Sequence, residues 1–239
     1  DSGLIKSWSL DLIQNLPLSG IREWQADLKK TINFSPPHIS IYDLNIENGT
    51  VFKKLIALGK LQLPSDDNAF RNSESTNFIL KGSGYSRYEI SNYCLPGHQS
   101  RHNRVYWTGL GWWSFGQGST SSPWGEKFTR PRISKEYKKW VINQCENSLD
   151  SSLVNKGFLY RELDEKIMLG MRLREGVDIY KLFEEQKWEK KEFENNLRSL
   201  LKEWEMYLES GLLVRNGNRF LLSDPKGMEL SNQILISMF

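Results

Sequence analysis

The stretch Ser7–Leu44, SWSLDLIQNLPLSGIREWQADLKKTINFSPPHISIYDL, decides the class of fold. Ser7–Leu16 is an apolar, β-prone run that stops at Pro17, and it reads as a strand. Ser19 and Gly20 then open a helix whose Ile21, Trp24, Leu28 and Ile32 keep the 3.6-residue period. Pro36-Pro37 stops that helix, and His38–Leu44 alternates as a second strand. With no hairpin turn between the strands, the helix carries the chain back to the starting edge, so the two strands run parallel. The class is α/β at this end. In a barrel built of such units the carboxyl ends of the strands face the active site, here Asp11 to Leu16 and Asp43 to Glu47.

Beyond about Lys60 the pattern changes. A helix near Ser65–Lys81 leads to a strand at Tyr85–Ile90, and then to a long loop, Gly97–Trp107 (GHQSRHNRVYW). A glycine-rich stretch follows at Phe115–Thr120 (FGQGST). Phe128–Arg132 reads as a short edge strand, where proline is tolerated. Ser134 can cap a helix to about Cys145, with Glu136 in its first turn. The remainder is mostly helical and α+β in character. Phe193, Leu197, Leu200, Leu201, Trp204 and Leu208 form the apolar stripe of a long helix that Gly211 terminates. Leu212–Arg215, the turn Asn216-Gly217 and Arg219–Ser223 make a hairpin, and a last helix starts near Asp224. Helices followed by a small hairpin make a winged-helix-like module. The expected domains are 1–60, 61–148 and 149–239.

Composition removes several classes. No apolar run reaches the roughly 20 residues that cross a bilayer, and no stretch has the make-up of a signal peptide. Two cysteines, Cys94 and Cys145, point to a reducing, cytoplasmic setting. They are too few for an iron–sulfur cluster, which takes three or four thiolates. Residues 1–149 carry 18 Lys/Arg against 13 Asp/Glu, whereas residues 150–239 carry 14 against 16. The winged-helix-like tail is therefore acidic, with Glu192, Glu194, Glu203, Glu205 and Glu209 on its long helix, and nucleic acid is not its expected partner. The chain opens on Asp1 and reaches a core strand by Trp8, so a truncated amino-terminal part is expected.

Several segments carry a resemblance. His98–Trp107 (HQSRHNRVYW) looks like the HNRxYW signature of the haem-chaperone branch of the oxygen-independent coproporphyrinogen III oxidase-like radical SAM family. Asp11–Pro17, Pro37–Tyr42, Glu47–Thr50, Gly84–Tyr93, Phe128–Pro131 and Leu169–Asp178 are similar to the family in order and spacing. The resemblance implies a partial (β/α)6 radical SAM barrel holding a [4Fe-4S] cluster and S-adenosylmethionine, then a family-specific carboxy-terminal domain. The cluster motif C-x3-C-x2-C is absent from this chain. Four further β-α units would need roughly 120–160 residues before Asp1. Without three thiolates there is no cluster and no reductive cleavage of S-adenosylmethionine, so this chain alone is expected to be inactive in radical chemistry.

His102 is the candidate haem ligand. Imidazole is a good axial ligand for haem iron, Tyr106, Trp107, Trp112 and Trp113 offer flat surface to a porphyrin, and the resemblance points to the same histidine. The plainer reading is a loop histidine bonded to backbone. His98 stands four residues before it, but Pro96 and Gly97 argue for loop rather than helix, and nothing completes a zinc set. His38, inside a strand, reads as a packed core residue. Arg87, Arg101, Arg104, Lys127, Arg130 and Arg132 concentrate positive charge, and Arg101, Arg104, Arg130 and Arg132 are candidates for an anionic ligand such as a propionate. As the resemblance implies, Asp11, Asn45 and Thr120 match positions that touch S-adenosylmethionine in the related oxidase. Asp11 could equally be a barrel carboxylate paired with a basic residue.

The expected function is a haem-binding chaperone that delivers haem to acceptor proteins. The enzymatic alternative is oxidative decarboxylation of coproporphyrinogen III propionates in porphyrin biosynthesis. A third is a haem-responsive winged-helix regulator. Haem or porphyrin and haem-acceptor proteins are the expected partners.

Overall fold

The computed structural model describes residues 7–123, 125, 127–146 and 162–238. The chain divides into two compact units, one of residues 1–100 with 223–232, the other of residues 101–222 with 233–239. The boundary expected at 148/149 lies outside the described residues.

In the first unit, β1 (Ser9–Gln14), α1 (Ile21–Asn33) and β2 (His38–Asp43) form the expected parallel β-α-β unit. Its register runs from Ser9 opposite His38 to Gln14 opposite Asp43. The Glu23 carboxylate accepts a hydrogen bond from the Gly20 N–H at 3.0 Å, which serves the exposed first turn of α1. Two further helices follow, α2 (Val51–Ala57) and α3 (Asp66–Gly82). Thr50 caps α2 through Lys53 N–H, and Ser65 caps α3 through Asn68 N–H. Then β3 (Ser86–Glu89) and β4 (Asn92–Cys94) return antiparallel, giving the sheet order β1-β2-β4-β3. The sheet is thus mixed, a feature the amino-terminal pattern does not announce.

The pleat gives this sheet two unlike faces. Leu12, Ile39, Ile41 and Tyr93 pack with Trp24 and Leu28 of α1 and Leu80 of α3 into one apolar core. Ser9 and Asp11 of β1, His38 and Ser40 of β2, and Asn92 and Cys94 of β4 occupy the other face, which is polar.

The second unit starts with α4 (Arg101–Trp107), continues through the short antiparallel pair β5 (Thr120–Ser121) and β6 (Phe128–Thr129), and reaches α5 (Ser134–Glu146). After residue 161 the order is α6 (Leu163–Gly170), β7 (Val177–Asp178), α7 (Ile179–Glu184), α8 (Lys190–Glu209), β8 (Leu213–Asn216) and β9 (Arg219–Leu222). The three strands form an antiparallel sheet in the order β7-β9-β8. The long helix is the expected one: Trp204 on its inner face is fully buried, 5.4 Å edge-to-face from Phe220 of β9. Asn216 pairs with Arg219, so the tight turn is Gly217-Asn218, one residue later than the sequence suggests. Gly176 is required by close approach: it has φ 61°, and a Cβ there would lie 2.0 Å from the carbonyl oxygen of Phe220. The chain re-enters the first unit with α9 (Lys226–Glu229) and then forms α10 (Ser231–Ser237). Among the described residues no helix is long and apolar enough to cross a membrane.

Candidate functional site

The expected loop Gly97–Trp107 is a loop only as far as Ser100. Leu95-Pro96-Gly97-His98 closes as a turn, with His98 N–H donating to Leu95 O at 3.1 Å and Gly97 at φ 83°. From Arg101 the chain is helical. Proline and glycine are consumed by the turn, and RHNRVYW itself holds no breaker, so a short helix forms where a loop was expected. His98 therefore lies outside the helix that carries His102. Gly109, at φ 73°, ends α4.

Helical spacing puts His102 and Tyr106 on one face. The His102 ring is exposed, its Nε2 lies 2.8 Å from the Tyr106 hydroxyl, and the rings meet edge-to-face at 5.0 Å and 84°. Tyr106 in turn meets Trp112 edge-to-face at 4.9 Å and 80°. Trp112 is fixed by its indole N–H, which donates to Thr120 O at 3.3 Å, and by a two-way backbone bridge to Ser122. An isolated β-bridge thus supports a ladder of three rings that ends at an exposed imidazole. Leu110, Trp113 and Phe115 add exposed apolar surface within the same segment, and Phe115 is 86% exposed.

The four arginines have different settings. Arg101 shares α4 with His102 and is exposed, as is Arg132 after β6. Arg104 is engaged in a two-pronged ion pair with Glu175, at 3.2 and 2.5 Å. Arg130 is buried, 5% exposed; its Nη1 donates to the hydroxyls of Ser114, Ser119 and Ser121, and its guanidinium lies over Phe128 and Trp140 at 5.4 and 5.2 Å. Thr120, beside this serine cluster, shares a 2.7 Å hydroxyl hydrogen bond with Thr129. A cavity of about 230 Å³ lies behind α4, lined by Trp107, Gly109, Lys166, Glu175, Lys181 and Arg219 among others. Pockets that enclose drug-sized ligands run to roughly 300–1,000 Å³, so this cavity is small for one.

Asp11 and Asn45 belong to the first unit. Asp11 is exposed on the polar face of β1 and accepts a 3.4 Å hydrogen bond from Ser9, while Asn45 donates to Glu47 at 3.0 Å. At the carboxyl ends of β1 and β2 the structure adds a network that residue types alone do not reveal. Gln14 and Asn15 both donate to Asp43 Oδ1, at 2.8 and 2.6 Å, and Asn72 donates to Asn15 at 2.9 Å. The alternation in SLDLI, with Ser9 and Asp11 opposite Leu10 and Leu12, is the one sequence signal for a polar face here. His38 is buried as expected, between Ser9 at Nδ1 and the Tyr88 hydroxyl at Nε2, each at 2.8 Å. Burial holds its pKa below the ordinary value, against the opposing pull of Asp11. Cys94 is buried too, and burial raises its thiol pKa, which disfavours the thiolate that ligates metals. The residues present do not fit an iron–sulfur cluster.

Known proteins resemble this chain along nearly all of its length. Residues 161–230 match the HemN C-terminal domain family. Over 98% of its length the chain is 36% identical to the haem chaperone HemW of Synechocystis, and over 95% it is 29% identical to that of Lactococcus lactis. The chain is thus similar to haem chaperones named HemW along nearly all of its length, and it spans 59% and 56% of the length of those two relatives. The mitochondrial radical S-adenosyl methionine domain-containing protein 1 of Danio rerio is 26% identical over 95% of the chain. The solved structure of coproporphyrinogen III oxidase (HemN) from Escherichia coli, a radical SAM enzyme, matches with a TM-score of 0.68 over 98% of this chain and 55% of that one. At 16% identity that likeness speaks for the fold alone.

Proposed function

We propose that this chain is the haem-binding part of a chaperone that hands haem to acceptor proteins, with His102 as the axial ligand. The observation that carries the reading is the exposed imidazole at the end of the Tyr106–Trp112 ladder. A cargo that must be passed on favours an open ligand over a buried one. Exposed Trp113 and Phe115 supply flat apolar surface, and exposed Arg101 and Arg132 supply cations for propionates. The curated relatives named haem chaperone support the same reading.

On this reading the parallel β1-α1-β2 unit is the last part of a partial (β/α)6 barrel. Asp11, Asn45 and Thr120 then match positions that touch S-adenosylmethionine in the related oxidase, and the complete protein would hold a [4Fe-4S] cluster on cysteines this chain does not contain. The order helix, strand, two helices, two strands from α6 to β9 supports reading this part as a winged helix. Its acidic long helix suits a lid or a protein-docking surface better than DNA.

Titration of haem into the purified chain tests the ligand. Wild type gives a Soret band of ligated haem, and His102→Ala abolishes or shifts it with at least a tenfold loss of affinity. Identical spectra and affinities for the two would remove His102 from the role. Turnover of coproporphyrinogen by the complete, cluster-reconstituted protein would favour the oxidase instead.

A further inference from the structure

We propose that the Tyr106 hydroxyl is a built-in competitor for the haem-binding nitrogen of His102, occupying Nε2 until a tetrapyrrole iron displaces it. The proposal rests on the reading of His102 as the ligand and concerns how that ligand is held in reserve. The Oη–Nε2 separation is 2.8 Å, a full hydrogen bond. A phenol is the stronger acid and a neutral imidazole nitrogen the stronger base, so the favoured arrangement has Tyr106 donating and Nε2 accepting. The ring proton then sits on Nδ1 of this exposed ring, which has no hydrogen-bond partner among the described residues. In this tautomer the lone pair that would bind iron is the one the phenol covers.

Geometry keeps the cover in place. His102 and Tyr106 are one helical turn apart on α4, so the pair forms without bending the chain. The Tyr106 ring is supported by Trp112, which meets it edge-to-face at 4.9 Å and is itself bridged to Ser122 and bonded to Thr120 O. The partner helix turn therefore returns the hydroxyl to Nε2 whenever the iron leaves. That return lowers haem affinity and lets cargo pass to an acceptor, a property a carrier needs and a permanent haem protein does not. One net hydrogen bond corresponds to about two- to tenfold in affinity.

The test uses haem titration and stopped-flow release on four chains: wild type, Tyr106→Phe, His102→Ala and the double variant. Tyr106→Phe is expected to bind haem about two- to tenfold more tightly, with slower release and an unmoved Soret band. The substitution should have no effect in the His102→Ala background. A readout without haem is the ¹⁵N spectrum of the histidine rings. Wild type should show His102 with Nδ1 protonated and Nε2 an acceptor, and Tyr106→Phe should shift that signal toward a tautomer mixture. Weaker haem binding by Tyr106→Phe, or ring spectra that do not change, would overturn the competitor role. If His102→Ala itself leaves haem binding untouched while the tautomer shift appears, the ligand reading fails and the hydrogen-bond assignment survives.

Discussion

The molecule builds a histidine–tyrosine pair twice, with the same 2.8 Å Nε2–Oη separation, and sets the two pairs in opposite surroundings. His38, on the polar face of the first sheet, is buried, and both ring nitrogens are engaged, by Ser9 and by Tyr88. His102, on the open face of α4, is exposed, and only Nε2 is engaged. A buried imidazole with two partners can neither reach a metal nor take up a proton cheaply, so it serves as a strut between strands. An exposed imidazole with only one nitrogen hydrogen-bonded can exchange partners. Residue type and partner are shared; burial and the count of satisfied nitrogens tell the two pairs apart.

The strongest way to break this contrast is His38→Leu. It removes both hydrogen bonds at once and leaves the Ser9 and Tyr88 hydroxyls to find other partners, at a cost of about 1–3 kcal/mol. Urea unfolding should show the midpoint fall accordingly, while haem affinity stays that of wild type. A His38→Leu chain that keeps its stability and loses haem would reverse the assignments of the two histidines.

The next test is smaller and reads the pH profile. His38 has a folded-state pKa below its ordinary 6.5, so as pH falls through 6.5 the unfolded chain takes up a proton that the folded chain refuses. Stability is full above that value and declines below it, and His38→Leu should flatten this limb. Glu229 in the same unit acts in the other direction. Burial raises its carboxyl pKa above the ordinary 4.5, although Ser73 and Arg87 pull it down, and its Oε2 has no hydrogen-bond partner among the described residues. As pH rises through 4.5 the unfolded chain ionises first, so the folded state loses stability on that side. Glu229→Gln should therefore gain stability relative to wild type as pH rises above 4.5, and equal stabilities across that range would exclude a burial penalty.

The same contrast marks what the residues disclose. The unit β1-α1-β2 is legible because a period of 3.6 between two β-prone runs has few interpretations, and His38 is legible as core because the strand around it is apolar. The stripe Leu197, Trp204 and Leu208 and the stop at Gly211 are legible for the same reason. The helix under His102 is not: seven residues with no apolar period give no signal, and a nearby Pro96-Gly97 suggests loop over a wider span than it affects. Strand β4, only Asn92–Cys94, exists because β2 and β3 offer it partners on both sides, which is information outside its own three residues. Arg130 reads as a surface cation, since charged residues are rarely buried, yet three serine hydroxyls and two aromatic rings receive it.

The smallest expected effect sharpens the contrast most directly, because it deletes one oxygen from each pair. Tyr88→Phe takes a hydroxyl from a buried site, where it bonds His38 Nε2 and accepts from Ser100 N–H at 3.3 Å, and removes both of those bonds. The expected cost is about 1 kcal/mol or somewhat more. Tyr106→Phe takes the same oxygen from an exposed site, where water replaces it at His102, and the expected change is within about 0.5 kcal/mol. Unfolding midpoints of the two variants measured side by side check this, and an equal loss for both would mean that α4 is a buried strut like β2. With unequal losses, the hydroxyl that stability does not need is the one whose removal alters haem affinity, because the bond it makes competes with a ligand and carries little of the fold.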